Sequence, residues 1–356
     1  MRTPVHSSFT GRELIQRGPL NITDDQALAA VGQLQKIGIG LDSALVGPAG
    51  GNLGAPVQFL QQWLPGVVRQ VTQIRNIDAL TGVMTVGSWE DEEVVQTASE
   101  LTGKAELYGD VTNVPLANYN ATYERRSVIR FEQGLMMGRL EDARASRAGL
   151  SMEVEKRAAA ADSLDIIRNR VGFFGYNQPD TRVFGLLNDL NLPAYVTVPN
   201  GAAGTATWAT KTYNEIVADI RAAVQALVTQ SGGRVRPQDT DMVLALPLGF
   251  EEYMGVVSQF GNSVGDWLKT TYPRIRVESA PEFTAANGGA NVFYLYAERV
   301  QDGSTDGGEV IAQLVPQRLF MLGTEQRAKG VMESWSNALA GVMLKRPWAA
   351  IRRSGI

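Results

Sequence analysis

The chain contains no cysteine, so disulfides, thiolate metal sites and cysteine nucleophiles are excluded by counting alone. It has a single histidine, His6, in a polar N-terminal stretch, and with that scarcity multi-histidine metal sites and most histidine-based triads go too. Charge is balanced: 33 basic against 37 acidic side chains give a net charge of −4. That is too mild for a nucleic-acid binder, whose affinity rests on many phosphate-neutralising cations. No run of roughly 18 uncharged apolar residues occurs, which predicts no membrane span. Residues 1–16 lack the apolar core of ~7–15 residues that a signal peptide needs, so the expectation is a soluble chain that stays inside the cell that makes it.

What is present is ordinary for a folded globular protein: 356 residues, 44% apolar content and 37 glycines. At roughly 150 residues per domain, that length suggests about two domains. Thr23, Asp24 and Asp25 offer N-caps for a short amphipathic helix carrying Ala27, Leu28, Val31 and Leu34, ended by Gly38 and Gly40. The glycine- and proline-rich residues 46–56 read as an extended linker. A strand-like tract follows, with Val67, Val71, Ile74 and Ile77, then Val83, Met84, Val86 and Trp89, and antiparallel pairing across Asp78 and Gly82 is the simplest arrangement.

Residues 96–118 have few large apolar side chains, turn signals at Gly103 and Gly109, and Pro115, which predicts a projecting loop or hairpin. Residues 119–131 alternate well enough to be its return strand, feeding a helix. From 139 to about 171 the chain is alanine-rich, without proline and with Gly149 alone, which predicts one helix of about 33 residues and roughly 50 Å. Glu153 is placed to meet Arg157 at i+4, and Leu164, Ile167, Val171 and Phe174 recur at helical spacing.

The second half reads as α/β. Thr212 and Glu215 form a capping box before Ile216, Ile220, Val224 and Leu227, and Gly232-Gly233 ends that helix. Strands are predicted at 242–246, 292–296, 310–315 and 318–322, with a helix at 248–260; in the final segment Ala338, Ala340, Val342 and Leu344 repeat with period two.

Candidate chemistry is sparse. Gly261-Asn262-Ser263-Val264-Gly265 matches the G-x-S-x-G nucleophile elbow in letters, but that elbow needs a strand before the serine and a histidine after it. A helix is predicted before it and the one histidine is far upstream, so the reading is a glycine turn. Residues 47–56 lack the Gly-Lys-Ser/Thr ending of a phosphate loop. Glu90, Asp91, Glu92 and Glu93 are adjacent and point in different directions, which does not enclose a calcium ion. Asp302, Asp306 and Glu309 miss the calcium-loop spacing and read as a hairpin turn. The C-terminus from 334 onward carries Lys345, Arg346, Arg352 and Arg353 and no acid, flanked by Trp335 and Trp348; it either faces phosphate or an acidic neighbour, or is a solvated tail. No catalytic, cofactor or metal residue is assigned.

The order of elements then becomes informative: arm, strand, projecting loop, return strand, very long helix, turn-rich passage, α/β half, closing strands. Residues 118–177, NYNATYERRSVIRFEQGLMMGRLEDARASRAGLSMEVEKRAAAADSLDIIRNRVGFFGYN, followed by VFGLLNDLNLPAY from Val183, resemble the bacteriophage major capsid proteins of the Hong Kong 97 fold. In that family the spine helix ends in an aromatic or aliphatic run with glycine, as in residues 168–177, and a Gly-Leu-Leu-Asn element follows, as in Gly185 to Asn188. ALAGVMLKRPWAAI, from Ala338, is similar to the family's last strand with its Arg-Pro ending.

The resemblance implies an α+β capsid fold. It assigns residues 1–60 to an N-terminal arm, 61–89 to peripheral-domain strands and 90–125 to an extended β-hairpin loop. Residues 126–207 become a peripheral domain with its spine helix at 139–173, 208–322 an α/β axial domain, and 323–356 strands returning to the peripheral domain. It implies a structural subunit with no cofactor, self-assembling into hexamers and pentamers of an icosahedral shell around double-stranded DNA, in a virion assembled in the host cytoplasm. Separate scaffolding and portal proteins, and possibly a decoration protein, would be its partners. Candidate inter-subunit contacts are Trp89, Lys104, Tyr108, Arg125, Arg126, Trp335, Arg346 and Trp348. An encapsulin-type compartment shell is the alternative within the fold, and a serine hydrolase using Ser263 the alternative outside it.

Overall fold

The main sheet is built on two strands with no exposed residue. In the computed structural model, β6 (Met242–Pro247) and β8 (Val292–Ala297) are buried along their whole length. Each fully buried leucine or phenylalanine there contributes about 1.5–3 kcal/mol. They pair antiparallel, β7 (Ile275–Ala280) joins β6 in parallel, and β13 (Ala350–Ser354) and β5 (Tyr195–Thr197) complete the order β5-β13-β8-β6-β7. Helix α4 (Tyr213–Gln230) covers this sheet with Ile216, Ile220, Ala223, Val224 and Leu227, an i, i+4, i+7, i+8, i+11 stripe. Its capping box at Thr212 and Glu215 forms as the sequence predicts.

The structure describes residues 75–110, 114–147, 151–176 and 178–356, all within one compact unit, Val71–Ile356. The helix read at 27–34, the linker at 46–56 and the apolar tract at 67–74 lie outside the described residues. Two three-stranded sheets accompany the main one. The first has the order β1-β9-β12 (Val83–Met84, Ile311–Leu314, Gly341–Leu344), and the second the order β10-β11-β4 (Gln317–Arg327, Gly330–Leu339, Ile129–Gly138). A separate antiparallel ribbon pairs β2 (Glu93–Thr102) with β3 (Asn118–Ser127) over ten residue pairs. Helix α3 (Met152–Phe174) lays Ala160, Leu164, Arg168 and Val171 toward the body, and Asn337 Nδ2 donates to Leu164 O at 3.2 Å, tying it to β11. No described helix is long and apolar enough to cross a membrane.

Several expectations need correcting. The helix read as continuous over 139–173 is two helices, α2 (Arg139–Arg147) and α3, and Ser151 between them takes non-helical angles of φ −91 and ψ 77. The sequence there holds a glycine at 149 and a serine at 151, the first poor in helix interiors and the second suited to helix starts. Ile77, read as strand, begins helix α1 (Ile77–Thr81), closed by Gly82 at φ 67. β1 pairs in parallel with β9, and the antiparallel partner expected for it falls largely outside the described residues.

The return strand read over 119–131 is divided at Val128, whose N–H donates to Glu92 O at 2.7 Å, so that β3 serves the ribbon and β4 the body. The helix read at 248–260 is a 3-10 segment, Phe250–Gly255, bounded by Gly249 at φ 84, with an extended stretch after it. Helix α5 (Val264–Thr271) and strand β7 were not foreseen.

Candidate inter-subunit surfaces

Strand alternation decides what the ribbon shows. Near its base Val94 and Arg126 turn inward and are buried, whereas beyond Thr97 both faces of both strands are exposed among the described side chains. Tyr119 and Tyr123 are 64% and 62% exposed on β3. At the tip, Leu107, Tyr108, Val114 and Leu116 are 97%, 90%, 81% and 87% exposed, and Lys104 stands among them in solvent. A two-stranded ribbon is marginal by itself in water, and exposed apolar side chains at its tip add no packing of their own. The sequence flagged Lys104 and Tyr108 and passed over Leu107, Val114 and Leu116. Their signal was the presence of any large apolar residue in an otherwise turn-rich segment.

At the ribbon's base the two candidate arginines part company. Arg125 is exposed and 3.8 Å from Glu93. Arg126 is fully buried, so its placement at an inter-subunit surface is corrected: its Nη2 donates to Asp189 Oδ2 at 2.8 Å and its Nη1 meets Glu124. Adjacent residues of one strand face opposite sides, which is why one of the pair is wet and the other dry.

Arg346 is corrected likewise. It is 5% exposed, and its guanidinium donates to Asp302 Oδ2 and Asp306 Oδ1, each at 2.7 Å, and to Glu309 O at 2.6 Å. The acidic neighbour of the C-terminal basic run is the chain's own DGSTDGGE loop. Hydrogen bonds from Arg346 hold both carboxyls below the usual range, with Asp306 pulled down to about 2. Arg352 also turns inward, its Nε donating to Pro193 O at 2.5 Å and its guanidinium 4.0 Å from the Tyr195 ring centre.

The three candidate tryptophans, Trp89, Trp335 and Trp348, are half-buried. Trp89 stacks on Phe320 at 5.5 Å between ring centres and donates to Ser336 Oγ at 3.1 Å. Trp335 Nε1 donates to Glu333 Oε2 at 3.3 Å, the carboxylate that also accepts from Arg157 Nε at 2.9 Å. Trp348 carries Arg234 over its ring at 5.3 Å. Beside Trp89, strand β10 leaves Leu319, Phe320, Met321 and Leu322 between 37% and 41% exposed, four consecutive apolar residues with no second neighbouring strand among the described residues. An edge of that kind is a pairing template that folded proteins normally blunt.

Ser263 is a cap. Its Oγ accepts from Asp266 N at 3.0 Å and donates to Asp266 Oδ2 at 2.7 Å, closing a capping box on α5. A turn was expected that ends a helix; the structure has one that begins a helix. Among the described residues no group of three or more His, Cys, Asp or Glu side chains could hold a metal ion.

A family model described as Pa193 gp26 major capsid protein matches residues 48–355. Among curated proteins none matches. Among solved structures, the capsid of Myoviridae phage XM1 superposes with a TM-score of 0.65 at 16% identity, covering 85% of this chain and 99% of that one. Gordonia phage Cozz gives a TM-score of 0.53 at 11% identity, with coverages of 83% and 91%. Mycobacterium phage Bobi gives 0.53 at 11%, with coverages of 84% and 96%.

Proposed function

This chain belongs to the Pa193 gp26 major capsid protein family, a structural subunit of a phage capsid with the Hong Kong 97 fold, and from that premise we propose how it assembles. Copies of the chain form hexamers and pentamers of an icosahedral shell, with each ribbon laid over the body of a neighbouring copy. The observation that carries this is the ribbon itself: ten paired residues bare on both faces toward the tip, ending in Leu107, Tyr108, Val114 and Leu116, all at least 81% exposed. Such a tip costs stability in water and gains it only under a second surface. The apolar edge strand β10 and the half-buried Trp89 beside it offer a surface of matching character on the next copy.

In this reading residues 90–125 reach the neighbour, the sheet with α2 and α3 forms the shell wall, and residues 208–322 surround the capsomer axis. Residues 1–60 serve as the arm. The near-neutral charge suits a container for packed double-stranded DNA that it does not bind by sequence. Scaffolding, portal and decoration proteins are separate chains, assembly takes place in the host cytoplasm, and no substrate is turned over.

The test is electron microscopy of the purified full-length chain beside a variant carrying Leu107→Ser, Tyr108→Ser and Leu116→Ser. Polyhedral shells or rings from the parent, lost in a variant that melts at the same temperature, are the expected result. A variant that assembles as the parent does ends the proposal.

A further inference from the structure

At its base the ribbon carries a buried arginine, Arg126, that bridges Asp189 of the body and Glu124 of its own strand. Arg126 and Asp189 have side chains 0% and 1% exposed, joined at 2.8 Å from Nη2 to Oδ2. The guanidinium lies 5.0 Å from the centre of the Phe184 ring, and its Nη1 also donates to Arg125 O at 3.2 Å. Its Nε is buried without a partner, so a costly charge is held here with one donor unmet.

Asp189 is fixed from the opposite side. Its Oδ1 accepts from Asn191 N at 2.9 Å, and the turn that carries it is fastened to the end of α3, where Asn188 Nδ2 donates to Phe174 O at 2.8 Å and its Oδ1 accepts from Gly185 N at 2.6 Å. A second tether runs beside it, from Arg182 N to Ser127 Oγ at 3.1 Å and from Ser127 N to Arg182 O at 3.2 Å. The path from helix end to turn to carboxylate to guanidinium is contiguous.

We propose that Arg126 and Asp189 form a clamp that sets the angle at which the ribbon leaves the body, coupling the ribbon's direction to the end of helix α3. Eight residue pairs beyond the clamp multiply a small rotation at Arg126 into a large displacement at the tip. The geometry stands by itself; its consequence for assembly rests on the reading of the ribbon as the arm toward a neighbour.

The chain's lack of cysteine makes the test direct. Spin labels are placed at Ser99→Cys on the exposed ribbon and Gln225→Cys on the exposed face of α4, and the distance distribution is read by double electron–electron resonance on the dissociated full-length chain. The parent gives one peak. Arg126→Met and Asp189→Asn each lose that single peak, splitting or broadening it, while Arg299→Met, which removes a surface ion pair, keeps it. If Arg126→Met does not fold, Asp189→Asn, which retains an acceptor oxygen, decides. An unchanged peak in the folded variants overturns the clamp. A lost peak together with shells that form as before keeps the clamp and removes the assembly role of the ribbon.

Discussion

Arg346 and Asp302 are 44 residues apart in sequence and 2.7 Å apart in the fold, joined from Nε to Oδ2 in a site where both side chains are largely excluded from water. With Asp306 they fasten the connection between β8 and β9 to the connection between β12 and β13, the two places where the chain crosses between the main sheet and the β1-β9-β12 sheet. Lys345 N, donating to Val310 O at 2.9 Å, runs alongside.

The acid response of the protein follows from that pair. Hydrogen bonds from Arg346 depress both carboxyls in the folded state, Asp306 to about 2. A depressed carboxyl contributes stability that is complete above its unfolded pKa of about 3.9 and is lost as pH falls through the folded value. The thermal midpoint of the parent should therefore drop between roughly pH 4 and pH 2. Arg346→Met should lose about 1.5–3 kcal/mol at pH 7, because it removes the charged hydrogen bonds that Asp302 and Asp306 accept and leaves Asp306 only Lys345 as a cationic neighbour, at 3.4 Å, and part of the acid dependence goes with it. Thermal melts from pH 7 down to pH 2 on both proteins check this; equal slopes would remove the pair as their cause.

Glu282 should behave in the opposite sense. Burial raises its pKa, Oε1 accepts from Asn169 Nδ2 at 3.2 Å, and Oε2 is buried without a partner. A carboxyl whose folded pKa is raised binds its proton more tightly when folded, so its destabilising effect sets in as pH rises above about 4. Glu282→Gln should stabilise at pH 7 by about 1 kcal/mol and leave stability near pH 4 nearly unchanged. Chemical denaturation at the two pH values measures the difference, and a loss at pH 7 would contradict the assignment.

Ser263→Ala should cost about 0.5–2 kcal/mol by removing the cap of α5. Hydrolysis of short-chain nitrophenyl esters by the parent should be no faster than buffer and unaltered by the substitution. A parent rate that disappears in the variant would restore a nucleophilic role for the serine.

Gly341 and Gly232 both have positive φ, at 79 and 61, yet they differ in what surrounds them. A Cβ on Gly341 would lie 2.2 Å from Phe184 O, whereas nothing lies within 4 Å of one on Gly232. Backbone strain alone costs about 1–3 kcal/mol, so Gly232→Ala should lose that much and Gly341→Ala clearly more, with the strand-end contact from Val342 N to Phe184 O disrupted. Equal melting temperatures for the two variants would show that the close approach relaxes freely.

What could be read from the sequence was local in its causes. The capping box at Thr212 and Glu215 involves residues three apart, and the buried strands at 242–247 and 292–297 announce themselves by composition, so both were legible. The resemblance in residues 118–195 reached the right family because it drew on the order of elements, which the chain carries in one dimension. The broken helix was misread because propensity summed over alanine-rich turns outweighed a single glycine and serine at 149 and 151.

Composition also determined what chemistry is absent, since no fold can supply a missing cysteine or a second histidine. Tertiary structure alone decided which charges are surface and which are spent inside. Arg125 and Arg126 are adjacent and chemically identical, and only the packing of Asp189 and Phe184 against one side of β3 makes the second a buried anchor. The same holds for Arg346, whose partners come from a loop that sequence distance hides. Burial and pairing are properties of three-dimensional neighbours, and a guanidinium acquires them only when the fold removes its water and replaces it with carboxylates.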